Sequence, residues 1–343
     1  MRIESGDTAP VDWDAFVAAH PATSAYHHAA AVSIGRDAFG LRCTFLSARD
    51  AQGALVGVLP LVEQSSFAFG RYLTSVPFFT YGGVLANDDA IAVELAKHAG
   101  ELGKERRAAH VELRHTAPIQ GLDFADRQDK VSMVLPLPAT VEALSKQIGS
   151  KLRSQIKRAE RENPQVRWGG AELLDDFYSV FSASMRDLGT PVYPRKFFDV
   201  VQRAFGGSSD VLTISVDGTA HAAAIIVKHG NRIEVPWAAC SPQGKPMALN
   251  MRMYWEMLKL SVERGAQAFD FGRSSPDSGT YKFKAQWGAQ PWQLHWHYWL
   301  PAGAPVPKLN NSNPKFQLAT RMWSRLPLWC ANAIGPLISR SLP

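Results

Sequence analysis

Two lysines, Lys282 and Lys284, stand on either side of Phe283, just after a run of small polar residues from Ser274 to Gly279 that includes Ser275, Asp277 and Ser278. A loop of this composition offers backbone N–H groups and hydroxyls. With two positive charges beside it, the stretch suits an anionic ligand, a phosphate or pyrophosphate above all. The plain alternative is a solvated hairpin with both lysines in water. A second basic feature is the helix Lys151 to Glu162. Its apolar stripe is narrow (Leu152, Ile156, Ala159), and Arg153, Lys157 and Arg161 recur at i, i+4 and i+8. Like charges at that spacing repel by roughly 0.2–0.5 kcal/mol per pair. The column is either solvated or kept for an anion: a phosphate backbone, a lipid pyrophosphate or a membrane surface. Arg186, Tyr193 and Arg195 surround the Thr190-Pro191 turn and are candidate contacts to an acceptor molecule.

Other chemistries find little support. His27 and His28 are adjacent, and His295 and His297 share a strand face without a third ligand at usual spacing, so no metal site is expected. There is no G-x-S-x-G or Walker-type loop. The three cysteines, Cys43, Cys240 and Cys330, are far apart. That excludes a disulfide framework and a CxxC site and fits a reducing compartment.

The elements around these residues form an α/β chain. It has 343 residues, 46% apolar and 20% charged, enough for two ordinary domains. The net charge of +6 leans towards anionic partners without diagnosing nucleic-acid binding. No signal peptide is expected at the N-terminus, and no apolar run is long enough to span a bilayer. A cytoplasmic protein is expected, with the inner face of the membrane as the other place to look.

Cys43–Ala48 and Ala54–Val62 read as a hairpin turning at Asp50-Ala51-Gln52-Gly53. Asp88 or Asp89 caps a helix to about Lys104, and the strand His110–Leu113 comes next. The order recurs: a hairpin turning at Asp217-Gly218, a strand Ile233–Ala239, a helix Ala248–Arg264, and the strand Phe269–Phe271. Glu112 and Arg114 in the first pass answer to Asp270 and Arg273 in the second. An internal duplication is the simplest account.

This repeated unit resembles the N-acetyltransferase (GNAT) fold, so the expected class is α/β, two tandem GNAT-like domains with mixed, mostly antiparallel sheets. The expected division is 1–140, on the structural or acceptor side; 141–300, with the basic helix and the active site; and 301–343, a linker and a tail. The tail is expected either to pack back on the first domain or, through 315–343, to touch a membrane surface. In GNAT enzymes a glycine-rich loop before the central helix grips the coenzyme A pyrophosphate. The matching place here is Gln243-Gly244-Lys245-Pro246-Met247-Ala248, where Pro246 has no N–H to give.

More narrowly, the chain resembles the FemAB-type peptidyltransferases, in the branch associated with exosortase/PEP-CTERM systems and exopolysaccharide loci. The shared pieces are Tyr81-Gly82-Gly83, Val111 to Arg114, the basic helix, Leu188 to Pro194, Asn250 to Trp255, Phe269 to Ser274, Gly279-Thr280, Phe283-Lys284 and Trp287-Gly288. The resemblance implies transfer of an aminoacyl or related acyl group to an amine on a peptidoglycan, exopolysaccharide or other cell-envelope precursor, small or lipid-linked. No tightly bound cofactor is implied; the donor is aminoacyl-tRNA, making tRNA a partner, or acyl-CoA. An acyl-CoA-dependent N-acetyltransferase of an amino sugar and a non-catalytic membrane-surface adaptor are the rival readings. Lys284, with Lys282 second, falls where the family stabilises the reacting carbonyl or the substrate's phosphate. Asp270 would orient Arg273 or take a proton from the amine; the bland reading is a salt bridge between them. Arg273, Ser274, Trp287, Trp237, Asn250, Tyr81 and Glu112 complete the expected substrate-binding set.

Overall fold

The computed structural model describes residues 1–66, 70–307 and 314–342. In chain order the first half holds β1 (Arg2–Gly6), α1 (Trp13–Ala19), α2 (Ala29–Phe39), β2 (Arg42–Arg49), β3 (Leu55–Ser66), β4 (Gly70–Thr74), β5 (Leu85–Ala86), α3 (Asp89–Glu105), β6 (Val111–His115), β7 (Ala125–Arg127) and β8 (Val131–Pro136). The rest holds α4 (Val141–Gln147), α5 (Ser150–Glu160), β9 (Gln165–Gly169), α6 (Leu174–Asp187), α7 (Arg195–Phe205), β10 (Ser209–Val216), β11 (Thr219–His229), β12 (Arg232–Cys240), α8 (Leu249–Glu263), β13 (Ala268–Ser274), α9 (Gly279–Ala285), β14 (Gln290–Gln293), β15 (His295–Trp299), α10 (Pro314–Trp323) and α11 (Leu328–Ser339).

The chain divides into two units. Unit 1 comprises Met1–Val131, Trp292–Lys308 and Arg340–Pro343. Its sheet runs β1-β2-β3-β4-β6-β15-β7, with β5 on β3. The β2–β3 hairpin closes as its sequence dictates: the Asp50 carboxylate accepts the N–H groups of Gln52 and Ala54, both at 2.9 Å. The Asp88 carboxylate caps α3 by accepting the Ile91 N–H. Leu95, Ala96 and Ala99 of α3 pack on Leu46, Leu59, Leu61 and Leu113 of the sheet.

Unit 2 comprises Ser132–Pro291 and Leu309–Ser339. Its sheet runs β14-β8-β13-β12-β11-β10-β9. The β10–β11 hairpin turns at Asp217 (φ 49°) and Gly218 (φ 76°), the paired positive angles that match strand twist. The apolar stripe of α5 is buried, and the helix lies against α8.

The duplication is visible in the pairing. Each unit has a parallel pair whose strands are connected through a helix. In unit 1, β4 and β6 pair through Leu73 with Val111 and Thr74 with Glu112. In unit 2, β12 and β13 pair through Arg232, Ile233 and Glu234 with Ala268, Phe269 and Asp270. Glu112 and Asp270 thus occupy the same place in the two copies.

The sheets do not respect simple cuts at 140 and 300. β8 hydrogen-bonds β13 and β14, so unit 2 already begins at Ser132; β15 pairs with β6, so 292–308 belong to unit 1. The tail also differs from a segment returning whole to the first unit. α11 packs on α6 of unit 2. A short end returns to unit 1, where the Gln64 amide donates to the carbonyls of Arg340 and Leu342 and the Tyr72 hydroxyl to that of Ser341. Part of the expected linker, 308–313, lies outside the described residues.

Candidate active site

The parallel register between β12 and β13 stops at Glu234 and Asp270, although β12 continues to Cys240 on β11. The place where it stops is fixed by Asp270. This fully buried carboxyl accepts the Ser132 hydroxyl at 2.6 Å and the Gly272 N–H at 2.8 Å. The second bond spans two residues within β13, where Gly272 stands at φ 76°, a conformation glycine adopts without a Cβ penalty. Asp270 therefore shapes the strand end through Gly272 and Ser132.

Beyond β13 the chain forms a short helix rather than an open lysine loop. The Ser278 hydroxyl caps α9 by accepting the Tyr281 N–H, and it also donates to the Ser275 carbonyl. These loop hydroxyls thus build the helix start. Helical spacing separates the two lysines: Lys282 is exposed and Lys284 is buried. The Lys284 ammonium donates to the carbonyls of Gly272 and Arg273, each at 2.9 Å. An ammonium has three N–H groups, so one remains for a bound molecule. Burial pushes the Lys284 pKa down to about 8; Asp270 and Glu234 oppose that shift and Arg273 adds to it. The group can therefore act as a cation near neutral pH and shed its proton slightly above it.

The burial is aromatic. Tyr254 of α8 stacks on Phe271 at 5.5 Å between centroids and meets Phe283 edge-on at 5.0 Å and Trp287 at 6.1 Å. These rings come from α8, β13, α9 and the turn just after α9, the segments around Lys284. Burial pushes the Tyr254 hydroxyl up to about 12. The Ser274 hydroxyl and the Trp287 indole N–H are buried without a hydrogen-bond partner among the described residues. A buried polar atom left so is costly. Ser132, Glu234 and Tyr254 were not among the sequence candidates. Ser132 lies 138 residues from its partner Asp270, and only the register of the folded sheet reveals it.

The remaining candidates are distributed. Arg273 is exposed beside the Lys284 carbonyl clamp, and Asn250 is half-buried in the first turn of α8. Trp237 meets Phe197 and Phe198 edge-on at 5.5 Å. Tyr193 joins that cluster through Phe197, and its carbonyl accepts the Tyr178 hydroxyl. Arg195 pairs with Asp175 and Asp199, and Arg186 with Asp187 and the Leu326 carbonyl. In the basic helix, Arg153 donates to the Ser145 and Ile148 carbonyls that end α4, while Lys157 and Arg161 are exposed.

Tyr81 and Glu112 lie in unit 1. Glu112 is buried, accepting from Arg114 Nε and the Tyr298 hydroxyl, both at 2.5 Å. Arg114 and Tyr298 help hold its carboxyl below the usual range against the opposing effect of burial. Arg114 also donates to the carbonyls of Val76, Pro77 and Phe79 and lies over the Trp296 ring. The first copy's carboxylate is thus committed to a structural network. Tyr81 is buried against Tyr26.

Most amides of the loop before α8 are also taken by bonds within it. The Gly244 N–H goes to the Ser241 hydroxyl, those of Lys245 and Ser241 to the Ser241 and His221 carbonyls, and those of Ala248 and Leu249 to Lys245 and Gly244. Pro242 and Pro246 have none to give. A pyrophosphate cradle needs such amides pointing outward. Among the described residues no cluster of His, Cys, Asp or Glu could hold a metal ion, and no helix is long and apolar enough to cross a membrane.

Residues 148–285 match the family model described as acetyltransferase (GNAT) domain, which makes unit 2 an acyltransferase domain by class. No curated protein matches the chain in sequence. Among solved structures it is similar to FemX, at 15% identity and a TM-score of 0.66 over 92% of this chain and 100% of that one. It is also similar to L-PGS from Bacillus licheniformis, at 15% identity and TM-score 0.56 over 93% and 98%. A third is a tandem GNAT protein from the clavulanic acid biosynthesis pathway, at 12% identity and TM-score 0.55 over 89% and 100%. These likenesses fix the fold: two tandem GNAT-like domains of FemX-like architecture.

Proposed function

We propose that this protein is a FemAB-like transferase that moves an aminoacyl group from aminoacyl-tRNA to an amine of a cell-envelope precursor, with Lys284 as the catalytic cation. The observation that carries this reading is the buried Lys284 ammonium, clamped by two carbonyls at the end of the parallel pair with one N–H left over. In the reaction the amine nitrogen forms a bond to the ester carbonyl carbon. The C–O bond to the terminal ribose breaks, and the amine proton passes to the departing oxygen. Lys284 donates to the oxygen on which negative charge develops; one such donor is worth about 2.7–4 kcal/mol of barrier. The loop before α8 favours this donor over acyl-CoA, because the Gly244, Lys245 and Ala248 amides are bonded internally and Pro246 has none. Such a donor belongs to the cytoplasm, so the reaction is assigned there. The shared pieces Leu188 to Pro194 and Phe269 to Ser274 support the exosortase-associated branch, and with it an exopolysaccharide or peptidoglycan precursor as acceptor. Lys157, Arg161 and Arg273, all exposed, are the cations we assign to the phosphates of tRNA or of the acceptor.

The test offers the protein labelled aminoacyl-tRNA and, separately, labelled acetyl-CoA. Each is supplied with UDP-linked muropeptide or with an amino-sugar polysaccharide. Label passing from tRNA to an acceptor amine, and lost in Lys284→Met, is expected. Transfer from acetyl-CoA alone overturns the donor; transfer from neither to any amine overturns the reading.

A further inference from the structure

Among the described residues, the last two helices present six large apolar side chains to solvent. In α11 the buried residues are small: Ala331, Gly335 and Ser339, at i, i+4 and i+8. A Cβ on Gly335 would lie 3.0 Å from the Val192 backbone, so this face is closely seated on unit 2. The outward face carries Trp329, 74% exposed, Leu337, 63% exposed, and also Ile334 and Ile338. No charged residue interrupts α11. α10 adds Leu318 and Met322, the latter 63% exposed. An ordinary surface helix has the reverse arrangement, and soluble proteins seldom leave so many large apolar groups together in water.

The charge carried by this last stretch of chain has one sign. No Asp or Glu comes after Asp277 anywhere in the chain. Arg321 and Arg325 precede α11, Arg340 comes after it, and all three are exposed. Apolar side chains with an exposed Trp, bounded by arginines, match the two layers of a lipid surface, acyl chains below and anionic headgroups above. A second copy of the chain fits worse. A two-fold contact through this patch would bring like arginines together with no carboxylate on α10 or α11 to answer them.

We propose that α10 and α11 form a docking surface for an anionic lipid bilayer, lying on it and not crossing it. This goes beyond the transfer reaction and does not depend on it. The test is flotation of the full chain with phosphatidylcholine vesicles, with and without phosphatidylglycerol. Flotation is expected with phosphatidylglycerol, weakened by salt as surface charges are screened. Trp329→Ser/Leu337→Ser should lower the bound fraction more than about tenfold, and Arg321→Gln/Arg325→Gln should lower it and reduce the salt dependence. All four side chains face solvent, so the thermal midpoint should stay at the wild-type value. Failure of the wild-type chain to float, or flotation unchanged in the Trp329/Leu337 variant, overturns the proposal. So does a dimer in sedimentation that the same variant makes monomeric, which would assign the patch to a second copy.

Discussion

The Lys284 ammonium lies 2.9 Å from the carbonyl oxygen of Gly272, and Gly272 stands at φ 76° with its N–H donated to the Asp270 carboxyl. The direction of that carbonyl therefore depends on a backbone angle that costs other residues roughly 1–2 kcal/mol. A Cβ there would meet only the Val235 carbonyl oxygen, at an ordinary 3.7 Å. Gly272→Ala should lower stability by about 1–2 kcal/mol in urea unfolding and lower turnover as the clamp shifts. A variant with wild-type stability would show that the angle is not strained.

Lys284→Met should reduce kcat by about 10²–10³ with the fold retained, the loss typical of one oxyanion donor. The active form of the wild-type enzyme is the cation, so turnover should fall as pH rises through about 8. A rate that climbs through the same pH would instead make Lys284 a base. The stability effect has its own sign. An unfolded lysine keeps its proton up to 10.5, so between about 8 and 10.5 the unfolded chain binds more protons and stability rises with pH. Lys284→Met should flatten that rise.

Glu112→Ala would leave the Arg114 guanidinium buried without its carboxylate. Breaking a buried pair by removing one partner costs about 3–5 kcal/mol, so unit 1 should unfold at a clearly lower urea concentration. A variant of unchanged stability but raised KM would return Glu112 to substrate binding.

His115 and His297 set an acid limit. The Val84 N–H donates to His115 Nε2 at 2.9 Å, so the His115 proton lies on Nδ1, facing His297 Nδ1 at 3.0 Å. A second proton has to break one of these bonds. Burial, then His297, His27 and His295, hold His115 well below the ordinary 6.5; burial lowers His297 too, against the pull of Asp126. Below about pH 6.5 the unfolded chain takes protons that the folded chain refuses, so stability falls with acidification. The expected slope approaches about 1.4 kcal/mol per pH unit for each such histidine. Urea titrations between about pH 7.5 and 5 should show it, and His297→Gln should lessen it.

Much of this fold is legible along the chain because its signals are local. Asp50 with Gly53, Asp217 with Gly218, and Asp88 before its apolar helix each specify a turn or cap by neighbouring atoms. The repeat of carboxylate and arginine, Glu112 with Arg114 and Asp270 with Arg273, correctly aligned the two copies. Residue type and spacing alone do not separate Lys282 from Lys284, which only the family resemblance ranks; they diverge once Ser278 caps a helix that turns only one inward. The pairing of Asp270 with Ser132, and of Glu112 with Tyr298, depends on strands brought from far along the chain. Short-range pattern carries no trace of either.

Those distant strands also set a timetable. β6 lies in the interior of its sheet only once β15, more than half the chain later, has been made and has paired with it. During synthesis Val111–His115 has to wait as an open edge, a template for pairing with the wrong chain. The N-terminal half therefore cannot mature first, as consecutive domains usually do during translation.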